Sequence, residues 1–130
     1  MIVNTHVTED VLVIECEGRL DALVVPSFKK KLIELIHEGN HFILIDFNAI
    51  ELIDSSGLGA MVSLLKLVNS KGGEIKVFGL NDAVQSVLEL TRYHLLFDIL
   101  SNREQGIKKM KAVQKEGVES SHKKGETSVL

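Results

Sequence analysis

Cysteine, tryptophan and proline are nearly missing from this chain: among 130 residues there is one Cys, one Pro and no Trp. A single thiol, Cys16, rules out an intrachain disulfide and any cysteine-based metal cluster. It lies in the strand-like run Val11-Leu12-Val13-Ile14-Glu15-Cys16, so a buried, inert thiol is expected. No apolar run approaches the ~20 residues needed to span a bilayer, and Met1-Ile2-Val3-Asn4-Thr5 has neither the charged nor the apolar region of a signal peptide. A cytoplasmic protein without a membrane partner is the expectation. Basic excess is missing too: the net charge is −3, which argues against direct nucleic-acid binding.

What is present is a globular composition, 45% hydrophobic, with its charge unevenly spread. Residues 101–130 hold seven Lys/Arg against four Asp/Glu; of the 15 and 18 in the whole chain, eight and fourteen remain for residues 1–100. An acidic body with a mildly basic tail suits a basic surface on a partner.

The hydropathy pattern alternates between two periods. Ile2 to Val7 and Val11 to Glu17 alternate as strands joined by a Thr8-Glu9-Asp10 turn. Gly18-Arg19-Leu20-Asp21 reads as a loop, and Pro26 opens a helix with Phe28, Leu32, Leu35 and Ile36 on one face. His41 to Phe47 is a continuous apolar strand, of the kind covered on both faces. A helix then runs from about Ser56 to Lys71, its buried stripe Leu58, Met61, Val62 and Leu65, widened by Leu64 and Val68. Glu74 to Phe78 is a strand, and Asn81 caps a helix facing inward through Val84, Val87 and Leu88. Leu95 to Leu100 reads as a last strand. Asn102 and Gln105 are spaced as a capping box for a weaker helix containing Gly106. The expected fold is α/β, in the order β-β-α-β-α-β-α-β-α, with a mixed, mostly parallel sheet and amphipathic helices. Residues 1–112 form the domain and residues 113–130 are read as a disordered tail.

Known catalytic signatures are missing. Neither Ser55 nor Ser56 has the flanking glycines of a nucleophile elbow, no phosphate-binding GxxxxGK[ST] occurs, and the five histidines show no metal-ligand spacing. The expectation is no enzyme, no cofactor and no metal. The remaining polar feature is Asp54-Ser55-Ser56-Gly57-Leu58-Gly59, where a strand hands over to a helix. Asp54 or Ser55 suits a helix N-cap. A hydroxyl there can also bear a phosphate, because a helix N-terminus favours negative charge. The small residues around it would allow a partner to approach closely.

These residues, following an apolar strand, resemble the signature of the STAS domain, and more narrowly that of bacterial anti-sigma factor antagonists. Gly18-Arg19-Leu20-Asp21 matches the family's turn before its first helix, Pro26 to Leu32 that helix, and Gly72-Gly73-Glu74 the turn before the fourth strand. Leu90-Thr91-Arg92-Tyr93 through Leu96-Phe97 resembles the closing motif, with Tyr93 where Leu is usual. The resemblance implies an STAS-type fold and a partner switch. The unphosphorylated protein would bind an anti-sigma factor, often a GHKL-type serine kinase in this family, and so free a sigma factor. Phosphorylation of Ser55 ends the binding, and a PP2C-type phosphatase resets it. It implies a partner surface made by Asp21, Asp54, Ser55, Ser56, Gly57, Leu58 and Gly59. STAS modules also serve as scaffolds in stressosome-like or lipid-transport assemblies, which is the alternative role.

Overall fold

The order of elements follows from short apolar strands separated by amphipathic helices. In the computed structural model, which describes residues 1–112 and Gln114, these are β1 (Ile2–Thr8), β2 (Val11–Leu20), α1 (Val25–His37), β3 (Phe42–Ile53), α2 (Ser55–Ser70), β4 (Glu74–Phe78), α3 (Asp82–Leu90), a 3-10 turn (Tyr93–Leu95) and β5 (Asp98–Leu100). A fourth helix, α4, covers residues 103–112. The tail expected from residue 113 lies, Gln114 apart, outside the described residues.

The five strands form one sheet in the order β1-β2-β3-β4-β5. β1 is antiparallel to β2, and every other neighbour pair is parallel. Glu9 and Asp10 form the β1–β2 turn at φ 52° and 68°. Two positive φ values match the right-handed twist of the strands they join.

The sheet is buried on both faces. Leu12, Ile14 and Cys16 of β2, Ile43 and Ile45 of β3, and Ile75 and Val77 of β4 pack beneath α1, α2 and α3. The intervening residues Val11, Val13, Leu44 and Phe78 face the other way, with Leu100, and are covered by Ile107 and Met110 of α4. The protein is therefore three layers: three helices, the sheet, and α4. Burial of Cys16 pushes its thiol up to about 12, so it is unreactive at neutral pH.

α4 brings some of the basic residues near the C-terminus onto the acidic body. Arg103 reaches Glu15 of β2 at 3.0 Å and Asp46 of β3 at 3.6 Å. Lys109 meets Asp98 of β5 at 3.1 Å, and Lys111 meets Glu9 of the β1–β2 turn at 2.8 Å. Part of the body's acidity is thus matched inside the molecule. Gly106, a weak helix residue, allows the close approach: a Cβ there would lie 2.7 Å from Leu44 Cδ1. Asn102 Oδ1 accepts from the Gln105 N–H at 2.8 Å, as a capping box requires, while Gln105 Oε1 reaches the Ser101 N–H at 2.8 Å, one residue earlier than usual.

These pairs make α4 sensitive to acid. Hydrogen bonds from Asn4 and Arg103 hold the Glu15 carboxyl below its ordinary value. Burial pushes Asp98 up, but hydrogen bonds from Lys76 and Lys109 outweigh it and leave that carboxyl lowered as well. A depressed carboxylate contributes fully above its unfolded pKa and loses that contribution as pH falls through its folded one. The α4 amides are therefore expected to lose hydrogen-exchange protection as pH drops below about 4, before those of α1 and α2. Equal loss in all three helices would contradict this.

Four local expectations need correction. Gly18–Leu20 is not loop; β2 runs to Leu20, with Gly18 at φ 96° beside a register shift. The strand expected to end at Phe47 likewise runs on, through Asn48 to Ile53. In α2 the buried set is Leu58, Met61, Leu64 and Val68 with Gly57 and Ala60, while Val62 and Leu65 sit half-buried at its flank. Only Asp98–Leu100 of the expected last strand pairs, because the chain first makes the 3-10 turn that leaves Leu95 and Leu96 exposed.

Candidate functional site

The length of β2 and β3 builds the site. β3 pairs with β4 only as far as Asp46↔Phe78, but with β2 as far as Leu20↔Ile53. At about 3.3 Å per residue, the two strands project roughly 20 Å past the end of β4 as a parallel ribbon. Asn81 props it. Its Oδ1 accepts from the Val84 N–H at 2.8 Å and caps α3, while its Nδ2 donates to the carbonyls of Ile50 and Glu51, each at 3.1 Å. The sequence shows the cap; nothing local shows the second role, which spans 31 residues.

Because Leu20 and Ile53 are paired, the residues after them, Asp21 and Asp54, leave the ribbon side by side at its C-terminal end. That end of parallel strands is where α/β proteins commonly place their sites. Asp54 has extended backbone and caps α2: its Oδ1 accepts from the Gly57 N–H at 2.9 Å. Such a cap contributes ~1 kcal/mol. Its Oδ2 accepts from the Ala22 N–H at 3.2 Å, and its own N–H donates to the Leu20 carbonyl at 3.3 Å. One residue thus starts α2 and ties it to the β2–α1 connection.

Asp21 organises that connection. Its Oδ1 accepts from the Leu23 N–H at 3.1 Å and the Val24 N–H at 3.4 Å, and its carbonyl accepts from Val24 and Val25 at 3.1 and 3.0 Å. α1 has no side-chain cap at Val24, so Asp21 supplies its N-terminal support from three residues earlier.

Of the two serines, Ser55 is the first residue of α2 and exposed, and Ser56 is half-buried. Gly59 is exposed, one turn along from Ser55, with nothing within 4 Å of where a Cβ would stand. Gly57 and Leu58, expected among the partner-facing residues, lie beneath this surface instead. Leu58 is 3% exposed and packs in the core. A Cβ on Gly57 would run into the Leu20 carbonyl oxygen and lie 2.7 Å from Ile53 Cγ1. They set the height of the site without forming its face. Leu23, which sequence reasoning passed over, is 90% exposed in the connection tied to Asp54.

Beneath this surface the interior is tightly packed. The cavity lined by Phe47, Ile53, Leu58, Met61, Val77, Leu88 and Phe97 measures about 10 Å³ and is wholly apolar, a packing gap without reactive groups. Among the described residues no three His, Cys, Asp or Glu side chains gather as a metal site, and no helix is long and apolar enough to cross a membrane.

Comparison with known proteins agrees with this geometry. Residues 3–106 match the STAS domain. The anti-sigma-B factor antagonist of Staphylococcus aureus is 30% identical over 74 residues, 57% of this chain and 68% of that protein. A candidate anti-sigma factor antagonist from Thermotoga maritima superposes with a TM-score of 0.80 at 25% identity, covering 83% of this chain and 93% of that one. The Bacillus cell fate determinant SpoIIAA, solved in its phosphorylated form, shares the fold with a TM-score of 0.63 at 20% identity, over 82% and 96% of the two chains. A five-stranded mixed sheet, an Asp-capped second helix and a family match over most of the chain lead to one assignment: the protein belongs to the STAS domain family.

Proposed function

We propose that this protein, whose relatives are named anti-sigma-B factor antagonists, is an anti-sigma factor antagonist and that phosphorylation of Ser55 switches it. The unphosphorylated form binds an anti-sigma factor that is a GHKL-type serine kinase, and the sigma factor held by that protein is released. The kinase transfers the γ-phosphoryl group of ATP to Ser55 Oγ, leaving ADP, and a PP2C-type phosphatase later hydrolyses the ester. The chain is a substrate and ligand here, not an enzyme. It works in the cytoplasm, and residues 1–112 form the switching unit. Asp21, Asp54, Ser55, Ser56 and Gly59 contribute to the contact, with Gly57 and Leu58 supporting it from below.

The observation that carries this reading is an exposed hydroxyl on the first residue of α2, beside a carboxylate already fixed by two hydrogen bonds. A phosphate there adds about −1.5 to −2 of charge. The N-terminal end of α2 tolerates it, so the fold survives. A partner seated over Asp54 meets a dianion where it had met a hydroxyl.

Incubation with the cognate kinase and ATP is expected to place one phosphate on the wild-type protein and none on Ser55→Ala. Ser55→Asp is expected to weaken kinase binding about a hundredfold, equivalent to ~3 kcal/mol. Undiminished phosphorylation of Ser55→Ala, with the label on Ser56, would overturn the assignment.

A further inference from the structure

The Ser55 surface is polar and small: a hydroxyl, two carboxylates and a glycine. Such groups recognise and switch, but buried apolar or aromatic anchors supply most of the affinity of a typical interface. One large apolar side chain stands in the same tied unit. Leu23 is 90% exposed at the tip of the β2–α1 connection. A single exposed leucine is ordinary, and the other strongly exposed ones, Leu90 at the end of α3 and Leu95 and Leu96 before β5, lie at the opposite end of the parallel strands. Leu23 differs from them in how its backbone is held.

The N–H of Leu23 donates to Asp21 Oδ1 at 3.1 Å, and the N–H of the residue before it donates to Asp54 Oδ2 at 3.2 Å. Val24 and Val25, after it, donate to the Asp21 carbonyl. The backbone on both sides of Leu23 is thus fixed, and fixed to the carboxylate that caps the helix bearing Ser55. A side chain presented this way loses little further backbone freedom on binding, which favours affinity. Its neighbours Asp21 and Asp54 are acidic.

We infer that Leu23 is the apolar anchor of the docked anti-sigma factor, filling a pocket on that protein rimmed by basic side chains. This rests on the reading of Ser55 above and deepens it. The partner is held by two groups joined through Asp54, an invariable anchor and a hydroxyl that can be charged. The kinase uses Leu23 to bind, and Ser55 to react.

The experiment measures affinity for the purified GHKL-type anti-sigma factor encoded in the same genome, and the kinetics of Ser55 phosphorylation by it. Leu23→Ser is expected to raise Kd by roughly ten- to a hundredfold, the equivalent of burying one leucine. KM for phosphorylation should rise in step while kcat stays unchanged, and Leu23→Met should stay within about threefold of wild type. Unfolding curves of both variants should overlay the wild type, because Leu23 is exposed. Wild-type affinity in Leu23→Ser, alongside lost affinity in Ser55→Asp, overturns the anchor and leaves the switch standing. Wild-type affinity in both variants overturns the switch itself.

Discussion

Gly57→Ala is expected to destabilise the protein by about 2–3 kcal/mol, although alanine is the better helix former. In an open helix position the exchange would stabilise by up to about 1 kcal/mol. Here the new methyl group meets a backbone carbonyl, Leu20 O, and lies 2.7 Å from Ile53 Cγ1. A carbonyl in a sheet cannot swing aside as a side chain can, so α2 must lift off the ribbon. Asp54 then loses its simultaneous hold on Gly57 and Ala22. Gly59→Ala is the matched control, two residues along the same helix in open space. It should leave stability unchanged or raise it, while weakening any partner whose backbone closes on that spot. Chemical denaturation should show a clear loss for Gly57→Ala and none for Gly59→Ala. Shifts of the same sign and size would mean that helix propensity, not the close approach, governs position 57.

Met110→Ala is expected to cost about 2–5 kcal/mol, the range for emptying a fully buried large site. Met110 is 0% exposed and fills the layer between α4 and the sheet with Ile107, Leu44 and Phe78. Lys111→Ala, on the next residue, removes the 2.8 Å pair with Glu9. That pair is exposed, and such pairs contribute about 0–1 kcal/mol. The Lys111–Glu9 pair therefore holds α4 far less than its apolar face does. A denaturation midpoint shifted more by Lys111→Ala than by Met110→Ala would reverse that division.

The sequence allowed the strand and helix order to be read because each period is local. Alternation in β2 and the 3.6-residue repeat in α1 each fit inside a dozen residues. The errors arose where the deciding contact was distant or the signal residue small. Gly18 and Arg19 look like loop because a strand that twists sharply uses glycine, and it is the distant pairing of Gly18, Arg19 and Leu20 with Ile50, Leu52 and Ile53 that keeps β2 going. The buried face of α2 was misjudged because Gly57 and Ala60, which mark its closest approach, carry no hydropathy signal. At the site, Asp54 and Ser55 were legible as a cap and a candidate acceptor, since both follow from the strand-to-helix junction. The links from Asp54 to Ala22 and from Asn81 to Ile50 were not, because they join residues 32 and 31 positions apart. The charge asymmetry was visible, but its use inside the molecule was not: Lys111 and Glu9 are 102 residues apart.

That last separation bears on how the chain is made. Synthesis proceeds from the N-terminus, and domains tend to fold as units while they emerge. Among the described elements the β1–β2 hairpin leaves the ribosome first, yet Val11 and Val13 on one of its faces pack in the layer that Ile107 and Met110 of α4 complete. While the strands and helices between are made, that face has no α4 over it, since α4 is the last described element to arrive. The nascent protein therefore carries an uncovered apolar sheet face until α4 is released, which makes that interval the point at which a chaperone or a neighbouring nascent chain would most readily intervene.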